Sequence, residues 1–235
     1  METEFVRRER AMNEKEPWCV TDEAAMREML DDEDFRAAFA GAMRLLGTIF
    51  LLRPIHGEAL EAVQALEVMD LRADWPFGTE DQLDQAQGLL RAGADEDLYK
   101  RDLEFMRLFR GTGNRKAAPY GSVYMDHDRV LFGWTWNALR DWMRSNGVTT
   151  LYQEREPEDQ IGRMMLLAAE LSDSRPDLLP EFLGDHFLPW ADHFLELFQA
   201  DTQSFTYTGA AVLARLTLDD VAHLLAVQPA RRRFF

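Results

Sequence analysis

The chain has 235 residues, 46% hydrophobic and 29% charged, enough for a globule that buries roughly 70–75% of its unfolded surface without staples. Its single cysteine, Cys19, excludes an internal disulfide and any all-cysteine metal site. With 26 basic against 42 acidic residues, the net charge of −16 repels nucleic-acid phosphate and anionic lipid and favours a basic partner.

Met1 to Glu16 is charged and aperiodic and reads as a mobile arm. Arg7-Arg8 is followed by Glu9-Arg10 and further charges where an export leader needs an apolar run. The apolar block Leu45 to Leu52 is too short to span a bilayer, so a cytoplasmic protein is expected. Thr21 caps a short helix reaching about Leu30. From Asp34 to Leu52, Phe35, Ala38, Phe39, Ala42, Leu45, Leu46 and Ile49 recur at helical spacing, and Arg53-Pro54 stops the run. Glu58 to Met69 is again helical. Trp75-Pro76-Phe77-Gly78 is a turn, and Thr79 with Gln82 has capping-box spacing for a helix to about Arg91, ended by Gly93. Asp95 to Phe109 predicts a helix apolar on much of its circumference.

Gly111 to Lys116 opens an irregular region; as a phosphate loop it lacks the second glycine-lysine element and follows a helix. Thr135 to Asn146 predicts a helix carrying Trp136, Leu139, Trp142 and Met143, closed by Asn146-Gly147. Pro157 is placed for a first helical turn, with Glu156, Glu158 and Asp159 at its positive end and Ile161 to Leu171 as its stripe. Leu178 to Gly184, Asp185 to Ala200 and Thr206 to Val227 complete the helices, and Arg231 to Phe235 reads as an unpacked tail. No strand pattern emerges. The expected fold is all-α. An N-terminal arm with a short helix, 1–33, precedes a domain, 34–235, whose helical parts, about 34–115 and 134–228, are joined by a connector, 116–133.

Catalytic constellations are thin. His186 and His193 stand seven residues apart on one expected helix, too far for one metal without a third element. Gly121-Ser122-Val123 lacks the glycine of a nucleophile elbow. Asp126, His127 and Asp128 with the downstream histidines leave a metal-dependent hydrolase open, and a generic helical adaptor is the other alternative. Phe105, Phe109, Tyr120, Tyr124, Trp134 and Trp136 near the acids at 126, 128, 156, 158 and 159 suit an apolar peptide bearing basic residues; the same rings could simply fill an interface.

Five blocks carry a resemblance: Pro119-Tyr120-Gly121-Ser122-Val123-Tyr124, Val130-Leu131-Phe132-Gly133, Leu139-Arg140-Asp141-Trp142-Met143-Arg144, Glu156-Pro157-Glu158-Asp159 and Phe187-Leu188-Pro189-Trp190. In order and spacing they resemble the TorD/DmsD/NarJ family of molybdoenzyme maturation chaperones, most of all its DmsD branch, over roughly Ala42 to Leu218. The resemblance implies an all-α, non-enzymatic, cytoplasmic chaperone with no cofactor of its own, expected as a monomer. Its partner would be the twin-arginine leader and catalytic subunit of a DMSO reductase-like molybdopterin oxidoreductase. It would assist cofactor insertion and hold back export. The implied leader-binding residues are Phe105, Leu108, Phe109, Tyr120, Ser122, Tyr124, Gly133, Glu156, Pro157, Asp159 and Gln160. The last departs from the family's usual Asp-His, and glutamine cannot take a proton near neutrality.

Overall fold

The computed structural model describes residues 4, 14–111, 115–149 and 156–235. Apart from residue 4, the expected arm before residue 14 lies outside them, as do the glycine loop at 112–114, Glu154 and Arg155. The first helices follow their spacing closely. Asp22, rather than Thr21, caps α1 (Glu23–Asp31), its carboxylate accepting from Ala24 and Ala25 N–H. Asp32 does the same for α2 (Glu33–Leu51), which buries Phe35, Phe39, Met43, Leu46, Ile49 and Phe50. Next come α3 (Gly57–Val68), the single turn α4 (Leu71–Asp74) and α5 (Glu80–Ala94). The Gln82 side chain accepts from Thr79 N–H at 2.8 Å, as the capping box requires. Gly93 lies inside α5 rather than ending it.

The Asp95–Phe109 stretch forms α6 (Leu98–Phe105) and runs on as a π-helical turn, Met106–Arg110. The wider turn keeps Phe105, Leu108 and Phe109 all buried. Two short helices follow the irregular stretch, α7 (Gly121–Met125) and α8 (Trp134–Ser145), and Gly147 adopts φ +65° just beyond. Helix α9 (Ile161–Ser174) starts four residues later than Pro157, with Gln160 as its cap. The three acids therefore precede the helix instead of occupying its first turn.

The last third is more broken than its periodicity suggests. A 3₁₀ turn (Pro176–Leu178), α10 (Leu179–Glu181) and a π-helical turn (Phe182–Phe187) lead into α11 (Leu188–Asp201) and α12 (Phe205–Leu224). His186 sits on the π-helical turn and His193 on α11, so one regular helix does not carry both.

The helices before and after the irregular stretch share one core. Helix α2 lies along α9, and α5 along α12. At the α2–α9 crossing, a Cβ on Gly47 would stand 2.9 Å from the Gly162 carbonyl, and one on Gly162 2.7 Å from that of Gly47. Only glycine at both positions lets the backbones approach so closely. These two long contacts join the halves. Beside them Phe50, Phe109, Phe198 and Tyr207 form a ring cluster, with Phe50 5.3 Å from Phe198 and Phe109 5.5 Å from Phe198. Burying each such ring contributes about 1.5–3 kcal/mol.

The fold is almost wholly helical, with two small additions that sequence patterning did not anticipate. Strand β1 (Glu14–Glu16) pairs antiparallel with β4 (Arg231–Arg232), and β2 (Cys19–Val20) with β3 (Val227–Gln228). The C-terminal segment is therefore packed: Arg232 is ion-paired with Asp185, and Phe235 N–H donates to the Tyr124 carbonyl at 3.2 Å. A run of two or three residues gives too little alternation to read as a strand; pairing across the fold creates it.

Candidate functional site

Two segments distant in sequence meet beside α9. Gly121 N–H donates to the Asp159 carbonyl at 3.1 Å, Ile161 N–H donates to the Pro119 carbonyl at 2.9 Å, and Tyr120 and Gln160 form an isolated antiparallel bridge. The Asp159 carboxylate, 4% exposed, accepts from Ser122 N–H at 2.8 Å and so caps α7 from another segment. Burial raises its pKa above the ordinary carboxylate range, against the opposing pull of the Ser122 hydrogen bonds and with a smaller push from Glu158.

Gln160 uses both ends of its amide. Its oxygen accepts from Arg163 N–H at 3.0 Å, capping α9, and its NH₂ donates to the Phe50 carbonyl at 2.9 Å. It ties the site to α2 through a group that stays neutral at every pH.

The other acids are also engaged. Glu156 accepts from the Tyr120 hydroxyl at 2.7 Å and pairs with Arg110, which the π-helical turn delivers. Glu158 accepts from Trp136 Nε1 at 2.7 Å and lies 3.6 Å from Arg140, whose guanidinium sits 4.6 Å from the Trp136 ring. Asp126 is buried and accepts from Thr135 N–H and Oγ1 at 3.1 and 3.0 Å. Gly133 is required there, because a Cβ would stand 1.5 Å from an Asp126 carboxylate oxygen.

The residues the resemblance singles out thus fall into two sets. Tyr120, Ser122, Tyr124, Glu156, Pro157, Asp159 and Gln160 lie on α7, at the bridge or in the turn leading to it, and Gly133 caps α8 against Asp126. Phe105 and Phe109 belong to the ring cluster, and Leu108 is buried on the same turn as Phe109. Only Gly133 and Glu156 are even half-exposed; the others are buried.

What does face solvent was not among the named site residues. Val130, Leu131 and Phe132 are exposed, Phe132 at 54%, with its ring edge-on to Trp136 at 5.0 Å. Arg129 and Phe132 take φ of +51° and +65°, a conformation that non-glycine residues hold only when their surroundings impose it. Sequence gave one signal for this loop: three apolar residues between a charged run and a glycine. Arg110, Asp185 and Arg232 gave none, since their partners lie dozens of residues away.

His127 and Asp128 are exposed and pair with each other at 3.1 Å, away from buried Asp126. Among the described residues no group of three histidine, cysteine or acidic side chains could hold a metal ion. Nor is any described helix long and apolar enough to cross a membrane.

Comparison with known proteins supplies the class. The family model described as nitrate reductase delta subunit matches residues 73–196. The Tat proofreading chaperone DmsD of Salmonella typhimurium is 37% identical over 184 residues, covering 78% of this chain and 88% of that one. A chaperone protein TorD from Psychrobacter sp. is 28% identical over 101 residues, 39% of this chain and 46% of that one. The chain belongs to the TorD/DmsD family of redox-enzyme maturation chaperones. Three DmsD proteins at 37% identity over 184 residues put it with that branch; it is a chaperone, not an enzyme, which removes the hydrolase alternative.

Proposed function

We propose that this chaperone works in the cytoplasm, binding the twin-arginine leader of a molybdopterin-dependent oxidoreductase subunit, assisting cofactor insertion and holding back export until maturation is complete. The observation that carries this reading is the 37% identity to a Tat proofreading chaperone over 88% of its length. The site's chemistry supports it. An exposed apolar loop at 130–132 packs through Phe132 on Trp136, which donates to Glu158, on a protein of net charge −16.

In this reading the exposed loop and Trp136 hold the leader's apolar segment, and the half-buried acids and net charge draw its arginines. Tyr120, Ser122, Tyr124, Gly133, Pro157, Asp159 and Gln160 frame the contact surface, while Phe105, Leu108 and Phe109 form its rigid back wall. No bond is made or broken. Binding energy alone delays export.

Calorimetric titration with a synthetic leader, and with the same leader carrying glutamines for its arginine pair, tests the reading. The native leader should bind, the glutamine version at least tenfold more weakly, about 1.4 kcal/mol. Affinity should fall, without vanishing, as salt rises, because screening removes charge attraction and leaves apolar contact. Equal affinity for both leaders, or none for either, overturns the proposal.

A further inference from the structure

Arg231-Arg232-Arg233 is the one run of three consecutive basic residues in this acidic chain, and Phe234-Phe235 follow it. The segment lies directly against the site. The Arg232 side chain is 3% exposed. Its Nη2 donates to the Asp185 carboxylate at 2.5 Å and to the Asp185 carbonyl at 3.3 Å, and its Cζ lies 5.2 Å from the Trp134 ring centroid. Asp159 and His186 border the same cavity, where only about 10 Å³ remains, room for about one water. Phe234 stacks on His193 at 4.7 Å and 15°, and Phe235 holds the Tyr124 carbonyl through its N–H while its ring meets His127 at 5.2 Å. His193 in turn packs edge-on to Tyr124 at 5.6 Å.

This arrangement has the parts of a peptide complex: an extended strand held by backbone hydrogen bonds, an arginine sunk between a carboxylate and an indole face, and aromatic residues laid on a platform. As packing alone it is a poor choice, since apolar residues of similar volume commonly equal or exceed a buried ion pair in stability. As a recognition pocket it is well formed, because a planar guanidinium meets both a carboxylate and a ring.

We propose that Asp185 and Trp134 form an arginine-binding pocket for an extended peptide with consecutive arginines followed by apolar residues, and that the chain's own Arg232 fills it until such a peptide arrives. The inference rests on the leader-binding reading above and deepens it, committing the pocket to the leader's arginine. A tethered competitor acts at an effective concentration of order millimolar. The apparent affinity for an incoming peptide is lowered by the fraction of molecules whose pocket is closed. Only a partner that also engages the 130–132 loop displaces the segment, so short basic peptides are turned away.

The test uses the full chain as wild type, Arg232→Gln, Arg232→Lys and Arg233→Gln, each checked for folding by circular dichroism. Each is titrated with the synthetic twin-arginine leader and with the hexapeptide Ala-Arg-Arg-Arg-Phe-Phe. Arg232→Gln should bind the leader about tenfold tighter than wild type, and Arg233→Gln within about twofold of it. The hexapeptide should bind Arg232→Gln, compete with the leader there, and lose both properties when its middle arginine becomes glutamine. Should Arg232→Gln fail to fold, Arg232→Lys keeps the charge but not the planar fork, and should tighten leader binding by about threefold. Unchanged leader affinity in the folded Arg232 variants, with no hexapeptide binding, overturns the pocket while leaving leader binding intact. Hexapeptide binding to Arg232→Gln without leader binding to any form supports the pocket and overturns the leader reading.

Discussion

Two of the exposed apolar stretches among the described residues are built differently. The outer face of α6 and its π-helical turn exposes Tyr99, at 69%, with Leu103 and Met106. It is helical throughout, α-helix passing into the π-helical turn, and is braced by Arg107, which bonds Glu104 at 2.8 Å and Asp201 at 2.7 Å. The 130–132 loop instead holds Phe132 at φ +65° beside a network of acids and rings. A helix exposes apolar residues at no conformational cost, so its exposed face needs no explanation by function. A non-glycine residue in the left-handed region costs of order 1 kcal/mol or more, and the surrounding contacts must impose it. On the proposed reading, recognition falls to the loop and scaffold duty to α6.

Substitutions can break that assignment. The largest effect is expected beneath α6. Phe109→Ala removes a buried ring touching Phe50, Phe105, Phe198 and Tyr207, and should cost about 3–5 kcal/mol in denaturant titration. Its leader affinity per folded molecule should stay near wild type. A specific loss of affinity in the folded variant would move Phe109 from back wall to contact surface.

Phe132→Gly should do the reverse. Relief of the positive φ should stabilise by about 1 kcal/mol, largely offset by the freedom glycine adds to the unfolded chain and by the lost contact with Trp136. Leader affinity should fall about tenfold. Tyr99→Ala, on the α6 face, is the matched control, expected within about 0.5 kcal/mol of wild type in both measurements.

Asp159→Asn separates scaffold from contact through pH. Burial raises the folded-state pKa of Asp159 above its unfolded value. The group's favourable contribution is therefore complete below about pH 4, where it is protonated in both states, and is lost as pH rises through the folded pKa. Asparagine keeps an acceptor for Ser122 N–H and never ionises. The variant should match wild type near pH 4 and gain on it toward pH 7, by denaturant titration at each pH. A variant less stable than wild type at pH 7 would show the carboxylate charge to be stabilising, as a first-turn helix residue would be.

The sequence made the long helices plain because their apolar residues recur every three or four positions over three turns or more. Phe35, Phe39, Leu46 and Ile49 left little freedom for α2. The start of α9 was less legible. Pro157 and its acids carry a strong local signal for a first turn, yet they make only a single turn, closed by Gln160 N–H on the Pro157 carbonyl, before Gln160 bridges to Tyr120 and Asp159 caps α7. Tertiary hydrogen bonds outweighed a preference worth only about 1 kcal/mol. The C-terminal segment was hidden for a similar reason. Arg232 is buried by Asp185, 47 residues away, and no periodicity encodes that pairing. Most of the residues the resemblance singles out stood in its motif blocks, but their burial was not legible, because a run of rings and acids does not say which face it turns to water.

Hydrogen exchange with and without the twin-arginine leader tests the assignment most directly. The account predicts slowed exchange over 120–136 and 156–160, faster exchange over 230–235 as Arg232 is displaced, and no change over 98–106. Slowed exchange confined to 98–106, with 120–136 unaltered, would contradict it.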